Sequence, residues 1–365
     1  GVVLLQHSGS PSLSTDQKLI SCAIEKSFCV AASQIGITTK KIVRKTFSPM
    51  DIAGEVISAE KKIRPYIRET YLEFSPFYSR MTGARVYFKL ENLQHTGSFK
   101  LRGAMNKLLS LTDEEKNRGV VTASTGNHGA AFAYGLGKVK GTGMVFVPEN
   151  ASPTKVEAIQ RLGAEIRYFG SDSSETEAQA RRYAQKNAMT HLPPYNDVKV
   201  IGGQGTIAFE LTNQLDQIDA VYVALGGGGM ISGIAGYLKS KNPEVEIIGC
   251  SPENSQVMIQ SVKAGRVLDL PSLPTLSDGT AGGVEPGSIT LEFCREFVDD
   301  YMTVTESEIK ESLREFMQSQ HMLIEGSAAV AVAACKKQGD RLAGKNVVVV
   351  ICGGNISLET LKEIL

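Results

Sequence analysis

The chain has 365 residues, with 39 acidic and 39 basic side chains, so its formal net charge is zero at pH 7. A chain of this length can bury a sizeable core and form about two domains. The balanced charge excludes a strong attraction to nucleic acid or to an anionic membrane. No apolar run reaches transmembrane length, so we expect a soluble protein without nucleic-acid or membrane partners.

The cysteines are scattered, and no two form a Cys-x-x-Cys pair or a metal-ligand spacing. This pattern predicts free thiols in a cytoplasmic compartment rather than a disulfide framework.

Residues 1–47 carry an apolar stretch followed by a basic cluster. We interpret them as an N-terminal extension of uncertain order, either a docked helix or a partly disordered arm, and targeting to an organelle stays open.

From about residue 48, short β-branched runs alternate with helical segments. Strands are predicted at 86–90, 119–123, 143–147, 165–169, 220–225, 246–250 and 346–352. Helices are predicted at 98–111 and 130–136, and after Ser152 and Ser173. Such alternation is typical of parallel sheets with helices on both faces. The number of strands favours two sheets, so the predicted fold is α/β with two open, twisted, mostly parallel sheets.

A glycine-serine turn runs into a predicted helix at Lys100. A protonated lysine is a poor nucleophile, but a lysine with a lowered pKa can form a Schiff base with a carbonyl. The helix N-terminus and the charge of Arg102 both favour the neutral amine. Most lysines lie solvated on the surface, so this segment alone favours a surface lysine.

Four consecutive glycines, Gly226, Gly227, Gly228 and Gly229, follow a hydrophobic predicted strand and precede a helix near Met230. Glycines let successive N–H groups converge, and a helix start adds its dipole, so the segment predicts a phosphate site. It lacks the Lys-Ser/Thr end of a P-loop. A tight strand–helix turn is the alternative, but one or two glycines would suffice for that.

The loop at 124–129 follows a predicted strand and precedes a helix, where N–H groups and small polar side chains suit a carboxylate. Its candidate residues are Ser124, Thr125, Gly126, Asn127 and His128. The Asn127 amide can donate to a phenolate-like oxygen. His128 could act as a general base, although an isolated histidine more often orients a loop.

Cys352 stands at the carboxyl end of a predicted parallel strand, where α/β proteins bind ligands. A lone cysteine there is more often buried and inert, so its role depends on its neighbours. The lysine, the glycines, the amide and this thiol match the aldehyde, phosphate, phenolic oxygen and ring nitrogen of pyridoxal 5'-phosphate. Together these segments predict a site for that cofactor.

Residues 91–104, Glu-Asn-Leu-Gln-His-Thr-Gly-Ser-Phe-Lys-Leu-Arg-Gly-Ala, resemble the lysine motif of the serine/threonine dehydratase and serine racemase family, which are pyridoxal-phosphate enzymes of fold type II. The family's other motifs are matched in order at 124–129, 201–206, 226–229, 324–326 and 352–355. The resemblance runs from about residue 50 to the C-terminus. It implies a tryptophan synthase β-like fold, with a large cofactor domain at 48–117 and 198–365 and a small substrate-side domain at 118–197.

The resemblance also implies a role for each site residue. Lys100 would hold the cofactor as a Schiff base, and Phe99 would pack on its ring. The loop at 124–128 would receive the substrate carboxylate. The other implied contacts are Asn127 to the phenolic oxygen, Gly226 to Gly229 with the Met230 amide to the phosphate, Cys352 to the ring nitrogen, and Glu325 to the cofactor edge.

A thiol cannot stabilise a protonated pyridine as a carboxylate would. The ring is then a weaker electron sink, which favours loss of a β-hydroxyl over transamination. Lys100, released when the substrate binds, would take the Cα proton. We therefore interpret the chain as an ammonia-lyase, a threonine or serine dehydratase that converts a 3-hydroxy amino acid into a 2-oxo acid and ammonia.

Racemisation is the second interpretation. Thr125 stands where racemases of this family carry a serine that serves the opposite face, and its methyl restricts the rotamer. A β-replacement enzyme such as cysteine synthase shares the cofactor, but its lysine motif lacks the Phe-Lys-Leu-Arg-Gly-Ala continuation. A non-catalytic ligand-binding protein would need neither Lys100 nor Cys352.

The family's divalent-metal site would fall at 251–257, where its acidic ligands become Ser251 and Val257. A hard cation would not favour these residues, so we expect no metal of that kind. The loop at 277–286 is richer in glycine than in common dehydratases, which leaves the preferred substrate and its enantiomer open. The resemblance further implies a homodimer or homotetramer.

Overall fold

A computed structural model describes residues 51–365, apart from the side chains of Thr154, Ser173 and Ser174. The predicted N-terminal extension at 1–47 lies outside the described residues. Within the described range, no helix is both long enough and apolar enough to cross a membrane.

The described residues form two separate sheets. Their strands, β1 to β10 in chain order, are Leu72–Phe74, Arg85–Leu90, Val120–Ala123, Gly143–Val147, Glu165–Tyr168, Thr190–His191, Ala220–Ala224, Glu246–Pro252, Asp300–Val304 and Asn346–Ile351. The larger sheet has the order β1-β2-β10-β7-β8-β9, and the smaller has the order β5-β4-β3-β6. Every pairing is parallel except that of β1 with β2. The predicted α/β fold with two mostly parallel sheets is confirmed.

Helices cover both sheets. In chain order, α1 to α14 are Ile52–Ile63, Pro76–Thr82, Lys100–Leu109, Asp113–Arg118, Asn127–Val139, Pro153–Gln160, Ser173–Lys186, Val198–Gln214, Gly229–Lys241, Val257–Ala264, Ile289–Phe297, Glu306–Gln320, Gly326–Gln338 and Leu358–Ile364. Local sequence explains several starts. Thr112 and Thr305 each form a capping box with a glutamate three residues on, and the Asp197 carboxylate accepts two N–H groups at the start of α8.

Three strands were not predicted from the sequence. The β1 strand has three residues and β6 has two, too few for a detectable alternation pattern. The β9 strand is mostly half-buried at the edge of its sheet and has no β-branched run. Edge strands and very short strands take their shape from their neighbours rather than from their own sequence.

The core of the large sheet is continuous and apolar. The strands β7 and β10 are buried along their whole length, as expected for parallel strands with helices on both faces. Their carboxyl ends lie side by side, because β10 pairs with β7 as well as with β2. The segments after these ends and the start of α3 therefore share one edge of the sheet.

Candidate active site

Backbone pairing brings Lys100 and Cys352 together. The Phe99 N–H donates to the Cys352 carbonyl at 3.0 Å, and the Gly354 N–H donates to the Gly97 carbonyl at 2.9 Å. The residues before α3 are thus hydrogen-bonded to the segment that follows β10. For that reason the helix begins at Lys100 and not at residue 98, where the sequence predicted it.

The Lys100 amine is partly buried. It donates to the Pro194 carbonyl at 2.9 Å and lies 5.2 Å from the centre of the Phe99 ring. Burial lowers the pKa of Lys100 to about 8, although Cys352 and Glu325 oppose the shift. About a tenth of the amine is then neutral at pH 7, far more than for an ordinary lysine.

Arg102 is not the cause of this shift, so that part of the sequence interpretation is wrong. The guanidinium is fully buried and belongs to a separate cluster. Its Nε donates to Glu91 Oε2 at 2.7 Å, and its Nη1 donates to Glu210 Oε1 at 2.7 Å. Two carboxylates neutralise its charge, and the pKa of Lys100 is lowered by desolvation instead.

Asn127, Glu325, Asn355 and Cys352 form one hydrogen-bonded group. The Asn127 Nδ2 lies 3.0 and 2.9 Å from the two Glu325 carboxylate oxygens. The Asn355 Nδ2 donates to Asn127 Oδ1 at 2.6 Å, and the Asn355 N–H donates to Glu325 Oε2 at 3.2 Å. The Cys352 Sγ lies 3.8 Å from Glu325 Oε1. This group fixes the orientation of the Asn127 amide.

Two groups in this cluster have raised pKa values. Burial raises the pKa of Glu325 to about 7, although Asn127 opposes the shift. Burial also raises the pKa of Cys352 well above its usual value, so Cys352 is a protonated, uncharged thiol at neutral pH.

The loop predicted to receive a carboxylate lies at the end of β3 and the start of α5. The Ser124 Oγ accepts the Gly126 N–H at 3.1 Å, and Thr125 is partly buried. The buried His128 Nε2 lies 3.2 Å from the Leu192 carbonyl, and burial lowers the pKa of His128 to about 3. His128 is therefore neutral, and its ring connects the loop to the backbone of Leu192, the residue after β6.

The glycine loop leads directly into α9. Gly228 is the N-cap residue with φ +84°, and the helix begins at Gly229, so the Met230 N–H lies in the first turn. The first four N–H groups of a helix have no acceptor within it. They offer an anion a set of donors at the positive end of the helix dipole.

Packing gives the glycines a second explanation. A Cβ at Gly226 would lie 2.9 Å from the Thr280 backbone, and a Cβ at Gly227 would lie 2.4 Å from the Tyr195 ring. The number of glycines is thus weaker support for phosphate than the sequence alone indicated. The helix N–H groups carry that interpretation.

Sequence reasoning assigned no role to four residues of this region. Pro194 and Tyr195 lie in the segment between β6 and α8, and Asn355 follows the strand-end thiol. Glu285 lies across from Tyr195, which accepts its N–H at 2.9 Å. The two prolines before Tyr195 indicate a loop, but no local pattern shows that this loop reaches Lys100.

In residues 51–365, no three His, Cys, Asp or Glu side chains are grouped to hold a metal ion.

Comparisons with known proteins show the family to which the chain belongs. The family described as pyridoxal-phosphate dependent enzyme matches residues 63–353. The L-threonine ammonia-lyase of Thermotoga maritima is 38% identical over 313 residues, covering 85% of this chain and 77% of its own length. The catabolic L-threonine dehydratase of Escherichia coli strain K12 is 37% identical over 312 residues, covering 85% and 94%.

A solved structure of maize serine racemase aligns with a TM-score of 0.81 at 31% identity, covering 85% of this chain and 95% of that one. Both the family match and the two relatives extend over most of the described residues. The chain belongs to the family of pyridoxal-phosphate dependent enzymes, and pyridoxal 5'-phosphate is its cofactor.

Proposed function

We propose that this protein is a hydroxy-amino-acid ammonia-lyase, a threonine or serine dehydratase. It would eliminate water from a 3-hydroxy amino acid, and hydrolysis of the resulting unsaturated amine would then release ammonia and leave a 2-oxo acid. One observation carries the proposal: the Lys100 amine, with its pKa lowered to about 8, lies beside an uncharged Cys352 thiol. The relatives named L-threonine ammonia-lyase and L-threonine dehydratase support the same activity.

The donor set of the site fits pyridoxal phosphate. Lys100 would hold its aldehyde carbon, Cys352 would face its ring nitrogen, and Phe99 would pack against its ring. The N–H groups at the start of α9, with the loop Gly226, Gly227, Gly228, Gly229 and Met230, would hold its phosphate. Asn127 would hold the phenolic oxygen after one of its N–H groups leaves Glu325, which borders the cofactor edge.

Bound pyridoxal phosphate supplies an electron-withdrawing ring that makes the Cα–H of an attached amino acid acidic. The chain's own residues would then handle the proton. The Lys100 amine is partly neutral at pH 7 and is held at 2.9 Å by the Pro194 carbonyl, so it would accept the Cα proton from close range. The uncharged Cys352 thiol provides no negative charge that would favour a protonated ring nitrogen.

The loop that begins α5 would bind the substrate carboxylate. Gly126 is the N-cap residue of this helix, so the N–H groups of Asn127 and His128 lie at its positive end. Ser124 and Thr125 add hydroxyl donors. His128 would keep the loop in place through the Leu192 carbonyl rather than transfer a proton.

A racemase is the second candidate. The alignment with maize serine racemase favours it, and Thr125 is the residue that would serve the face of the substrate opposite Lys100. If Thr125 returned a proton to Cα from that face, the product would be the other enantiomer rather than a 2-oxo acid.

A substrate panel separates the two candidates. L- and D-serine, L- and D-threonine and 3-hydroxyaspartate would each be incubated with the holoenzyme, and 2-oxo acid, ammonia and enantiomer would be measured. The lyase proposal expects ammonia and 2-oxo acid in equal amounts from an L-3-hydroxy amino acid, with none of the D-enantiomer of the substrate. Formation of the opposite enantiomer of the substrate without ammonia would instead establish the racemase.

We also propose that residues 118–197 form the substrate-side domain and that 48–117 and 198–365 form the cofactor domain. The smaller sheet draws its strands from 120–191, which supports this division.

We propose a cytoplasmic homodimer or homotetramer. The cysteines Cys250, Cys294, Cys335 and Cys352 are free thiols, which supports a reducing compartment, and light scattering would measure the assembly.

A further inference from the structure

Tyr195 lies in the segment that connects the smaller sheet to helix α8. Its ring packs directly on the glycine loop. A Cβ at Gly227 would lie 2.4 Å from the Tyr195 Cδ1, and a Cβ at Gly229 would lie 2.8 Å from the Tyr195 Cβ. Real Cβ atoms do not approach so closely, so glycine is required at 227 opposite the Tyr195 ring and at 229 opposite the Tyr195 Cβ and backbone.

The Tyr195 hydroxyl holds a second loop, at 277–288. It accepts the Glu285 N–H at 2.9 Å. The Glu285 carboxylate in turn pairs with the Arg181 guanidinium of α7 at 2.5 Å, and Arg181 lies 3.5 Å from Glu177. Burial raises the pKa of the Tyr195 phenol, so the hydroxyl stays protonated at neutral pH.

The neighbours of Tyr195 make matching contacts. The Pro194 carbonyl accepts from the Lys100 amine at 2.9 Å, and the Asn196 Oδ1 accepts the Ile289 N–H at 2.9 Å. Three consecutive residues therefore contact the amine, the glycine loop and the C-terminal end of the 277–288 loop. The Lys100 charge also opposes the raised pKa of Glu177, so the Glu177–Arg181–Glu285 group lies within electrostatic reach of the amine.

We propose that Tyr195 is a positioning residue with two separable roles. Its ring holds the glycine loop in the shape that binds the cofactor phosphate. Its hydroxyl holds the 277–288 loop, whose Gly279 lies beside Glu325 of the site. The second role rests on the proposed lyase activity, whereas the first needs only the cofactor.

The hydroxyl role is tested with Tyr195→Phe. Loss of one hydrogen bond to the Glu285 N–H should raise KM for the 3-hydroxy amino acid about 2- to 10-fold. We expect kcat within about 2-fold and an unchanged cofactor dissociation constant, because the ring remains. Tyr301→Phe is the matched control, since the Tyr301 hydroxyl donates to the Cys294 carbonyl at 2.8 Å on β9. An unchanged KM, or an equal effect in the control, would overturn this role.

The ring role is tested with a double-mutant cycle between Gly227→Ala and Tyr195→Ala. Cofactor affinity is measured by titrating the cofactor-free protein with pyridoxal phosphate and following absorbance. In the wild-type background, Gly227→Ala should weaken binding at least about 10-fold, because the new Cβ meets the ring. In the Tyr195→Ala background the same substitution should cost about 2-fold or less. Equal losses in both backgrounds would overturn the ring role.

The two arms also separate this inference from the proposed function. If the protein bound the cofactor but turned over no 3-hydroxy amino acid, the lyase proposal would fail while the cycle still decided the ring role. If turnover were normal and the cycle showed no coupling, the lyase proposal would stand and the role of the Tyr195 ring would be refuted.

Discussion

Two lysines with lowered pKa values, the buried Lys89 and the partly buried Lys100, lie in contrasting surroundings. The Lys89 amine donates to the Thr70 carbonyl at 2.8 Å, to Glu210 Oε2 at 2.5 Å and to Gln214 Oε1 at 2.9 Å. The Lys100 amine, within residues 51–365, donates to a single carbonyl. Burial lowers the pKa of both amines, but carboxylates oppose the shift far more directly at Lys89, where Glu210 is in contact.

The carboxylates of the two regions differ in the same way. Arg102 and Lys89 hold the pKa of Glu210 well below its usual value, against the effect of burial. Glu325 faces amide and thiol groups instead of cations, and burial raises its pKa to about 7. A balanced buried cluster keeps fixed charges, while an unbalanced one titrates near neutral pH. The first kind supports structure, and the second kind supports proton transfer.

The largest expected contrast comes from the same substitution at both lysines. Lys100→Met should reduce the turnover of a 3-hydroxy amino acid at least about 10³-fold, because both covalent attachment and the base are lost. Its stability should be unchanged or raised, since an apolar side chain replaces a poorly paired buried amine. Lys89→Met should instead lower stability by about 3 kcal/mol. Turnover and urea denaturation measure the two effects.

The comparison would fail if Lys100→Met kept its activity, or if borohydride still fixed pyridoxal phosphate covalently to the variant. It would also fail if both methionine variants lost the same stability, because the two amines would then be equally paired.

Arg102→Met tests the structural role of the buried cluster around Lys89. It leaves Glu91 and Glu210 without their shared guanidinium in a fully buried cluster. We expect a loss of about 3–5 kcal/mol in the free energy of unfolding. Arg161→Met is the control, because its partner Glu157 lies on the exposed face of α6, and a surface pair contributes less than about 1 kcal/mol. Similar losses in the two variants would refute the structural role of the cluster.

These regions also mark what the sequence could predict. The strand and helix alternation, the strand-end thiol and the lysine at a helix start are local patterns, and the structure contains each of them, although α3 begins two residues later than predicted. The burial of Arg102 and its pairing with Glu210 were not predictable, because Glu210 lies more than a hundred residues away in the chain. The contact of Pro194 with Lys100 also arises only from the packing of the two sheets. Local patterns place residues on elements, and long-range contacts decide their pKa values.

Glu325→Gln tests the region around Lys100 through the pH dependence of the free energy of unfolding. The folded pKa of about 7 lies above the usual value of 4.5, so the folded state binds the extra proton. The stability contribution of Glu325 is present below pH 4.5 and is lost as the pH rises towards 7. Glutamine cannot ionise, so the variant should gain about 2–3 kcal/mol relative to wild type between pH 5 and 8. Urea denaturation at both pH values measures this gain, and a constant difference would contradict it.

His128→Gln probes the smallest effect, with the opposite sign. Burial lowers the folded pKa of His128 to about 3 from its usual value of 6.5, so the unfolded state binds the extra proton. Stability is therefore lost as the pH falls below 6.5, by about 2 kcal/mol at pH 5.

Glutamine keeps a donor for the Leu192 carbonyl but does not titrate, so the pH dependence of stability should flatten by about one proton between pH 6.5 and 5. Measurement at pH 8, where the imidazole is neutral in both states, gives the packing cost of the substitution as an internal control. Parallel curves for wild type and variant below pH 6.5 would mean that His128 is protonated in the folded protein. In that case His128 could no longer be assigned to holding the loop as a neutral donor, and its role as a general acid would have to be considered instead.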